Sequence, residues 1–156
     1  MNFVDLCTGW GRLILKVALD SKLQFLTYNG IDINLPCKSR FEELATVHKL
    51  FDFKIQYLEK DLLEFDHEKM YALITASWAL GFFNEQQIKS ILDWVAQVLD
   101  KNGYMILKEQ VNVQGYKPEG EHKYHRYSKT LYQEFFTASN LKFEIVHEQS
   151  YCDQET

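Results

Sequence analysis

Two glycines and one acidic residue give the clearest chemical signal in the sequence. Gly9 and Gly11 lie between a short apolar segment and a segment with helical periodicity. Glycine at such a strand-to-helix turn can take a positive φ and lets the backbone come close to a ligand. Asp32 follows at the end of the next predicted strand, where a carboxylate can accept hydrogen bonds from both hydroxyls of a ribose. This spacing predicts a site for a nucleoside cofactor.

The segments that must position these residues alternate between strand-like and helix-like patterns. Short apolar runs predict strands at residues 3–7, 27–33, 53–58, 71–76, 104–108 and 141–146. Apolar residues at helical spacing predict helices at residues 12–19, at 39–51, after the cap Asn84 as far as Leu99, and after the cap Ser128 as far as Ala138. We therefore expect a single α/β domain over residues 1–156, with a mostly parallel sheet covered by helices on both faces.

The predicted helices also have faces that should turn towards the sheet. The inward residues are expected to be Leu13, Val17 and Leu19 in the first helix, and Phe41, Leu44, Val47, His48 and Phe51 in the second. In a sheet of this type, ligands bind beyond the carboxyl ends of the strands. The glycine turn and Asp32 both fall at that edge.

Composition argues against several classes of protein. Seventeen basic residues against 22 acidic ones give a net charge of −5, so we expect no nucleic-acid partner of the kind that needs a basic surface. The longest mostly apolar run, residues 71–83, is too short to cross a bilayer. Cys7, Cys37 and Cys152 form no CxxC pair, which favours reduced thiols and no metal site. No signal-peptide pattern follows Met1, so we expect an intracellular protein, cytoplasmic or nuclear.

The glycine turn differs from a dinucleotide fingerprint, because Ile14 stands where that pattern has its third glycine. The order Asp5-x-x-x-Gly9-x-Gly11 instead resembles motif I of the class I S-adenosylmethionine (SAM) methyltransferases, which have a Rossmann-like fold. Within that class the chain most resembles the protein α-N-terminal methyltransferases, which act on amino termini of the Xaa-Pro-Lys type. The motifs behind this narrower resemblance lie between Val4 and Val146 and are Gly9-Trp10-Gly11-Arg12, Gly30-Ile31-Asp32-Ile33, Trp78-x-x-Gly81 and Asn102-Gly103-x-x-Ile106-x-Lys108.

The resemblance implies SAM as the cofactor, methyl transfer as the reaction and a protein N-terminal peptide as the substrate. It implies that Arg12 pairs with the carboxylate of SAM, that Asp32 holds the ribose and that Leu62 and Leu63 flank the adenine. The residues implied to bind SAM are Asp5, Cys7, Gly9, Gly11, Arg12, Asp32, Ile33, Asn34, Leu62, Leu63 and Ser77. The candidate catalytic residues are Trp78, Glu109 and Gln110.

Three positions depart from the family's pattern. Cys7 stands where the family has a glycine, Phe82 where it has a histidine, and Gln110 where it has an asparagine. The family's aspartates in the loop after the fifth strand have no counterpart here. The acidic residues between Gln110 and His125 are Glu119 and Glu121 alone, and His122 or His125 could take over proton transfer from the loop.

The departures leave two main hypotheses open. The first is an active SAM-dependent methyltransferase for protein amino termini. The second is a catalytically inactive methyltransferase-like subunit, because the family has helices before the first strand and a seventh strand that we do not find, and residues 151–156 are too short and polar to form that strand. Sheet edges left open in this way would suit a partner subunit. Residues 116–132 mix basic and aromatic side chains as RNA-binding segments do, although we favour a substrate-side loop.

Overall fold

The secondary structure consists of five strands and four helices in the part of the chain that is described. A computed structural model describes residues 1–20, 22, 24–50, 54–65, 69–111 and 125–148. The strands are β1 (Asn2–Leu6), β2 (Thr27–Asp32), β3 (Ile55–Glu59), β4 (Tyr71–Ser77) and β5 (Leu99–Lys108). The helices are α1 (Arg12–Leu19), α2 (Leu35–Val47), α3 (Glu85–Val98) and α4 (Lys129–Ala138), and a 3₁₀ turn spans Leu80–Phe82. In these residues no helix is both long enough and apolar enough to cross a membrane.

All five strands are parallel and lie in the order β3-β2-β1-β4-β5. The chain starts at the centre with β1, moves out to β3, and then crosses back to place β4 on the other side of β1. Val4 pairs with Asn29 on one side and with Ile74 on the other. This reversal makes the gap beyond the ends of β1 and β4 the place where such sheets bind ligands. The predicted α/β fold is confirmed.

Helices pack against both faces of the sheet, and neighbouring residues of a strand point to opposite faces. Phe3 and Tyr28 pack with residues of α1 and α2 on one face. Val4 and Ile74 pack with residues of α3 and α4 on the other. Each face therefore has its own hydrophobic cluster, as expected for a parallel sheet between two helical layers.

The predicted sixth strand at residues 141–146 is wrong. This segment pairs with no strand in the described part of the chain. Leu141 and Phe143 pack against the core, while Val146 is 92% exposed. The apolar side chains of this segment therefore pack against the core, but the segment lacks the ladder of hydrogen bonds that defines a strand.

Several predicted boundaries also need correction. β5 begins at Leu99 rather than Tyr104. We expected Asn102-Gly103 to end a helix, but these two residues lie within β5, at an irregularity in its pairing with β4. Helix α2 runs four residues earlier than predicted at both ends. It starts with Pro36 in its first turn, where the missing N–H has no helical partner to lose, and it stops before Lys49, which has a positive φ.

The predicted helix faces are partly correct. Val17 and Phe41 are buried as expected, but Leu19 and Val47 are 51% and 65% exposed and His48 is also exposed. The shift of α2 explains why Val47 and His48 are exposed, because the inward face of this helix is centred on Cys37 and Phe41. Leu19 is the last residue of α1, beyond the turn that contacts the sheet. Phe51 lies outside the described residues.

Candidate functional site

The residues that could take part in binding or catalysis meet at the carboxyl edge of the sheet. Cys7 follows β1, Asp32 ends β2, Ser77 ends β4 and Glu109 follows β5. Because these strands are neighbours and parallel, their ends lie side by side across the gap between β1 and β4. The edge divides into a half built on β1 and β2 and a half built on β4 and β5.

The loop after β1 is held by a short series of backbone hydrogen bonds. The Thr8 amide donates to the Ile31 carbonyl at 3.0 Å, and the Gly11 amide donates to the Thr8 carbonyl at 2.9 Å. Cys7, Gly9 and Gly11 all have positive φ values, of 53°, 55° and 71°. The loop therefore turns sharply three times within five residues, which only glycine does without strain.

The two glycines of the turn serve different purposes. A Cβ on Gly11 would lie 2.1 Å from a ring carbon of Phe41, so this glycine lets α1 and α2 pack together. A Cβ on Gly9 would meet no atom within 4 Å. The space above Gly9 is thus open to a ligand, while the space above Gly11 is filled by the core.

Asp32 links the end of β2 to this turn. One carboxylate oxygen accepts a hydrogen bond from the Gly9 amide at 2.8 Å, and the other accepts one from the Asn34 amide at 3.0 Å. Each carboxylate oxygen can accept two hydrogen bonds, so one position on each remains for a ligand. Ile33 beside it is 69% exposed, and Asn34 is exposed as well. The structure brings Asp32 to the glycine turn, and its role in holding a ribose stays a prediction.

Asp5 supports the loop from beneath. It is 3% exposed and accepts hydrogen bonds from the Thr8 hydroxyl at 2.7 Å and the Thr75 hydroxyl at 2.6 Å. Burial raises the pKa of this carboxyl above its usual range, although both hydroxyls act in the opposite direction. Asp5 therefore ties β1, its loop and β4 together. Thr75 was not among the predicted residues, and its signal was a hydroxyl within an otherwise apolar strand.

Cys7 lies between the strand and the turn and is half-buried. Burial raises the pKa of its thiol to about 12, and the carboxylates of Asp32 and Asp5 act in the same direction. The thiol therefore stays protonated and neutral at physiological pH, and it is not a reactive nucleophile. A non-glycine residue with positive φ at this point stores local backbone strain.

The other predicted cofactor residues are spread around this half. Arg12 is exposed at the start of α1 and lines a cleft of about 610 Å³ between α1 and α2, together with Trp10. Leu62 is buried in the core with 8% exposure, whereas Leu63 is 41% exposed and has a free side-chain surface. Ser77 is half-buried at the end of β4.

The second half of the edge is built around the turn after β4. The Trp78 amide donates to the Lys108 carbonyl at 2.8 Å, and the Lys108 ammonium lies 4.7 Å from the centre of the Trp78 ring. This is a cation–π contact between the last residue of β5 and the residue that follows β4. Trp78 is 47% exposed and has a φ of 52°. Its ring therefore faces solvent on a constrained backbone.

Glu109 fastens this turn to the end of β5. One carboxylate oxygen accepts hydrogen bonds from the amides of Ala79 and Leu80, at 2.6 and 2.7 Å. Both residues are fully buried, so the carboxylate satisfies amides that water does not reach. Glu109, predicted as a catalytic candidate, lies in the site but is engaged in holding the turn. Gln110 is exposed beside it.

No group of three or more His, Cys, Asp or Glu side chains in the described residues is arranged to hold a metal ion. Of the loop residues named from the sequence, Glu119, Glu121 and His122 lie outside the described residues, and His125 lies within them.

Neither a protein-family model nor a curated protein matches the sequence. Solved structures do match the fold. A SAM-dependent methyltransferase from Clostridium acetobutylicum superposes with a TM-score of 0.72 and 14% identity, over 94% of this chain and 80% of that one. A SAM-dependent methyltransferase from Leishmania major gives 0.73 and 18%, over 89% and 54%. The glycopeptide N-methyltransferase MtfA, in complex with SAM, gives 0.60 and 15%, over 72% and 45%.

These identities are low, so the likeness establishes the fold and not the reaction. The chain spans about half the length of two of the three structures and four-fifths of the other. The fold is the Rossmann-like fold of SAM-dependent methyltransferases.

Proposed function

We propose that this chain is a methyltransferase that binds SAM at the half of the edge built on β1 and β2 and transfers its methyl group to an amine. The observation that carries the proposal is the link between Asp32 and the Gly9 amide beneath an open space. It places a carboxylate with free acceptor positions beside a glycine turn at the reversal point of the sheet. The neighbouring structures are themselves SAM-dependent methyltransferases.

The residues present suit SAM. Asp32 would accept hydrogen bonds from the ribose hydroxyls, and the exposed side chains of Ile33 and Leu63 offer apolar surface for the adenine. Arg12 is free in solvent to form a fork with the amino-acid carboxylate. The neutral Cys7 thiol adds no negative charge to the glycine turn. When bound, SAM supplies a methyl group on a positively charged sulfur, ready for in-line displacement.

The acceptor that we infer is a protein amino terminus. An α-amine has a pKa of about 7.7–8, so its deprotonation costs about 1 kcal/mol at neutral pH. A lysine amine with a pKa of about 10.4 would cost about 4.6 kcal/mol. The half of the edge that faces the acceptor carries the Lys108 ammonium, which opposes binding of a second cation. The less basic amine is therefore the better match.

Calorimetric titration of SAM tests the cofactor. We expect the wild-type chain to bind SAM in the micromolar range, and Asp32→Ala to bind it at least about tenfold more weakly because a charged hydrogen-bond partner is lost. Asp20→Ala is the matched control, because Asp20 is an exposed carboxylate at the end of α1. The absence of binding at high micromolar SAM would contradict the proposal.

Labelled SAM then tests the acceptor. A peptide beginning Xaa-Pro-Lys should take up methyl groups, and the same peptide with an acetylated amino terminus should not. The two peptides share the lysine and differ only at the α-amine. Equal labelling of both would contradict an N-terminal acceptor while leaving methyl transfer in place.

A second candidate function is a non-catalytic subunit. It is favoured by β5, where Tyr104 and Ile106 are 73% and 57% exposed on one face. Exposed apolar residues on a strand at the end of a sheet are typical of a surface that a partner covers. A chain that binds no SAM but forms a stable complex through this face would support the second candidate over the first.

A further inference from the structure

One wall of the site is the turn from Trp78 to Phe83, which is fixed from two sides. The Glu109 carboxylate holds the amides of Ala79 and Leu80, as described above. From the other side, the His125 amide donates to the Gly81 carbonyl at 2.6 Å. The segment that leads into α4 therefore lies directly against the turn that bounds the half built on β4 and β5.

The imidazole of His125 is held in place by its neighbours. It stacks on the ring of Tyr127, with ring centres 5.6 Å apart and planes 19° apart. The Tyr127 hydroxyl donates to the Phe83 carbonyl at 2.8 Å, and its ring meets Tyr132 and Phe135 edge-on. His125 is half-buried, so its ring is fixed by packing and still has contact with solvent.

Five of the other titratable groups at this edge do not suit proton transfer. Asp5 is buried and receives two hydroxyl hydrogen bonds, and Cys7 keeps its proton at neutral pH. Asp32 is directed at the glycine turn. Glu109 holds two amides, and Lys108 carries a positive charge.

Charged groups surround the His125 segment from each neighbouring element. Glu85 at the start of α3 and Glu109 after β5 act electrostatically on Tyr127 and Tyr132. Arg126 is adjacent in the chain, and Lys129 of α4 pairs with Glu148 at 2.9 Å.

We propose that His125 is the general base of the reaction, accepting a proton from the amine before methyl transfer; this rests on the proposed function. The protonated amine gives one proton to an imidazole nitrogen. The amine nitrogen then forms a bond to the methyl carbon, and the carbon–sulfur bond breaks with its electron pair going to sulfur. The products are S-adenosylhomocysteine, a methylated ammonium and a protonated imidazole, which returns its proton to water.

The test measures kcat/KM for an Xaa-Pro-Lys peptide from pH 6 to pH 10. His125→Gln should lower it by about 10²–10⁴-fold near pH 7, with unchanged SAM affinity. The deficit should narrow to about tenfold or less above about pH 9, where the α-amine is already neutral. Added imidazole should restore activity to His125→Ala. His48→Gln, which changes an exposed histidine at the end of α2, should behave as wild type.

A second variant checks the placement of the ring. Tyr127→Phe removes the hydrogen bond to Phe83 and should lower kcat/KM by about fivefold, the rate equivalent of about 1 kcal/mol, with the pH profile retained. Normal activity of His125→Gln at pH 7 would overturn this inference alone, as would a deficit that neither varies with pH nor responds to imidazole. Failure of the wild-type chain to bind SAM would overturn the proposed function and this inference together.

Discussion

The two halves of the sheet edge are held together in different ways. On the side of β1 and β2, the glycine turn and Asp32 are 23 residues apart, within one βαβ unit. On the side of β4 and β5, Glu109 reaches back 30 residues to Ala79, and Tyr127 reaches back 44 residues to Phe83. The glycine turn of the first half depends mainly on backbone shape, although Asp5 beneath it is hydrogen-bonded to Thr75, 70 residues away. The second half depends on side chains brought from distant segments.

This difference shows which residues can be substituted in each half of the edge. The turn on β1 is restricted by sterics, because Gly11 touches Phe41 and three consecutive odd-numbered positions have a positive φ. The wall on β4 and β5 is restricted only by the need to satisfy amides and to pack rings. It can therefore exchange one side chain for another from a different segment.

The largest effect is expected from Gly11→Ala. The new Cβ would collide with the Phe41 ring, and alanine would have to adopt a φ of 71°. We expect the free energy of unfolding to fall by about 3 kcal/mol, from strain and overpacking together, as measured by urea denaturation. Gly9→Ala shares the strain but meets open space, so it should cost about 1 kcal/mol and mainly weaken SAM binding. Equal losses of stability in the two variants would contradict the distinction between a packing glycine and a ligand-facing glycine.

An intermediate effect is expected from Glu109→Ala. This change leaves the buried amides of Ala79 and Leu80 without their acceptor. We expect a loss of about 2 kcal/mol in the free energy of unfolding and a fall in kcat with SAM affinity retained. Glu134→Ala, on the exposed side of α4, is the control and should change neither quantity. If Glu109→Ala weakened SAM binding as much as methyl transfer, the two halves would not be separable.

The smallest effect is expected from Cys7→Gly. Glycine relieves the strain of a φ of 53° but loses the packing of the thiol, so stability should stay within about 1 kcal/mol of wild type. Affinity for SAM should rise, because the turn then carries no side chain at that point. Lys49→Gly is a matched control, since Lys49 has a φ of 54° at the exposed end of α2. It should gain stability by about 1 kcal/mol without any effect on SAM, and a fall in SAM affinity for Cys7→Gly would contradict the assigned role of the turn.

Much of the fold followed from local patterns. The helix after Asn84 was predicted from its cap and its apolar spacing, and both sides of the capping box are present. The error at residues 141–146 has a physical origin: a strand exists only if a neighbour accepts its hydrogen bonds, and no local pattern reports that neighbour. The predicted start of β5 was wrong for a similar reason, since an irregularity in the pairing with β4 decides where this strand begins.

The sequence by itself indicated the glycine turn and Asp32 on the side of β1 and β2. Gly9 and Gly11 lie two residues apart at a turn with positive φ, and Asp32 follows at the end of the next strand. A linear pattern therefore shows all three. The tertiary structure decided the contacts of Asp5, Glu109 and His125, because each depends on a partner from another strand or loop. It also decided that Leu62 is buried and Leu63 is not. Hydrogen bonds and burial between distant segments arise only when the chain is folded.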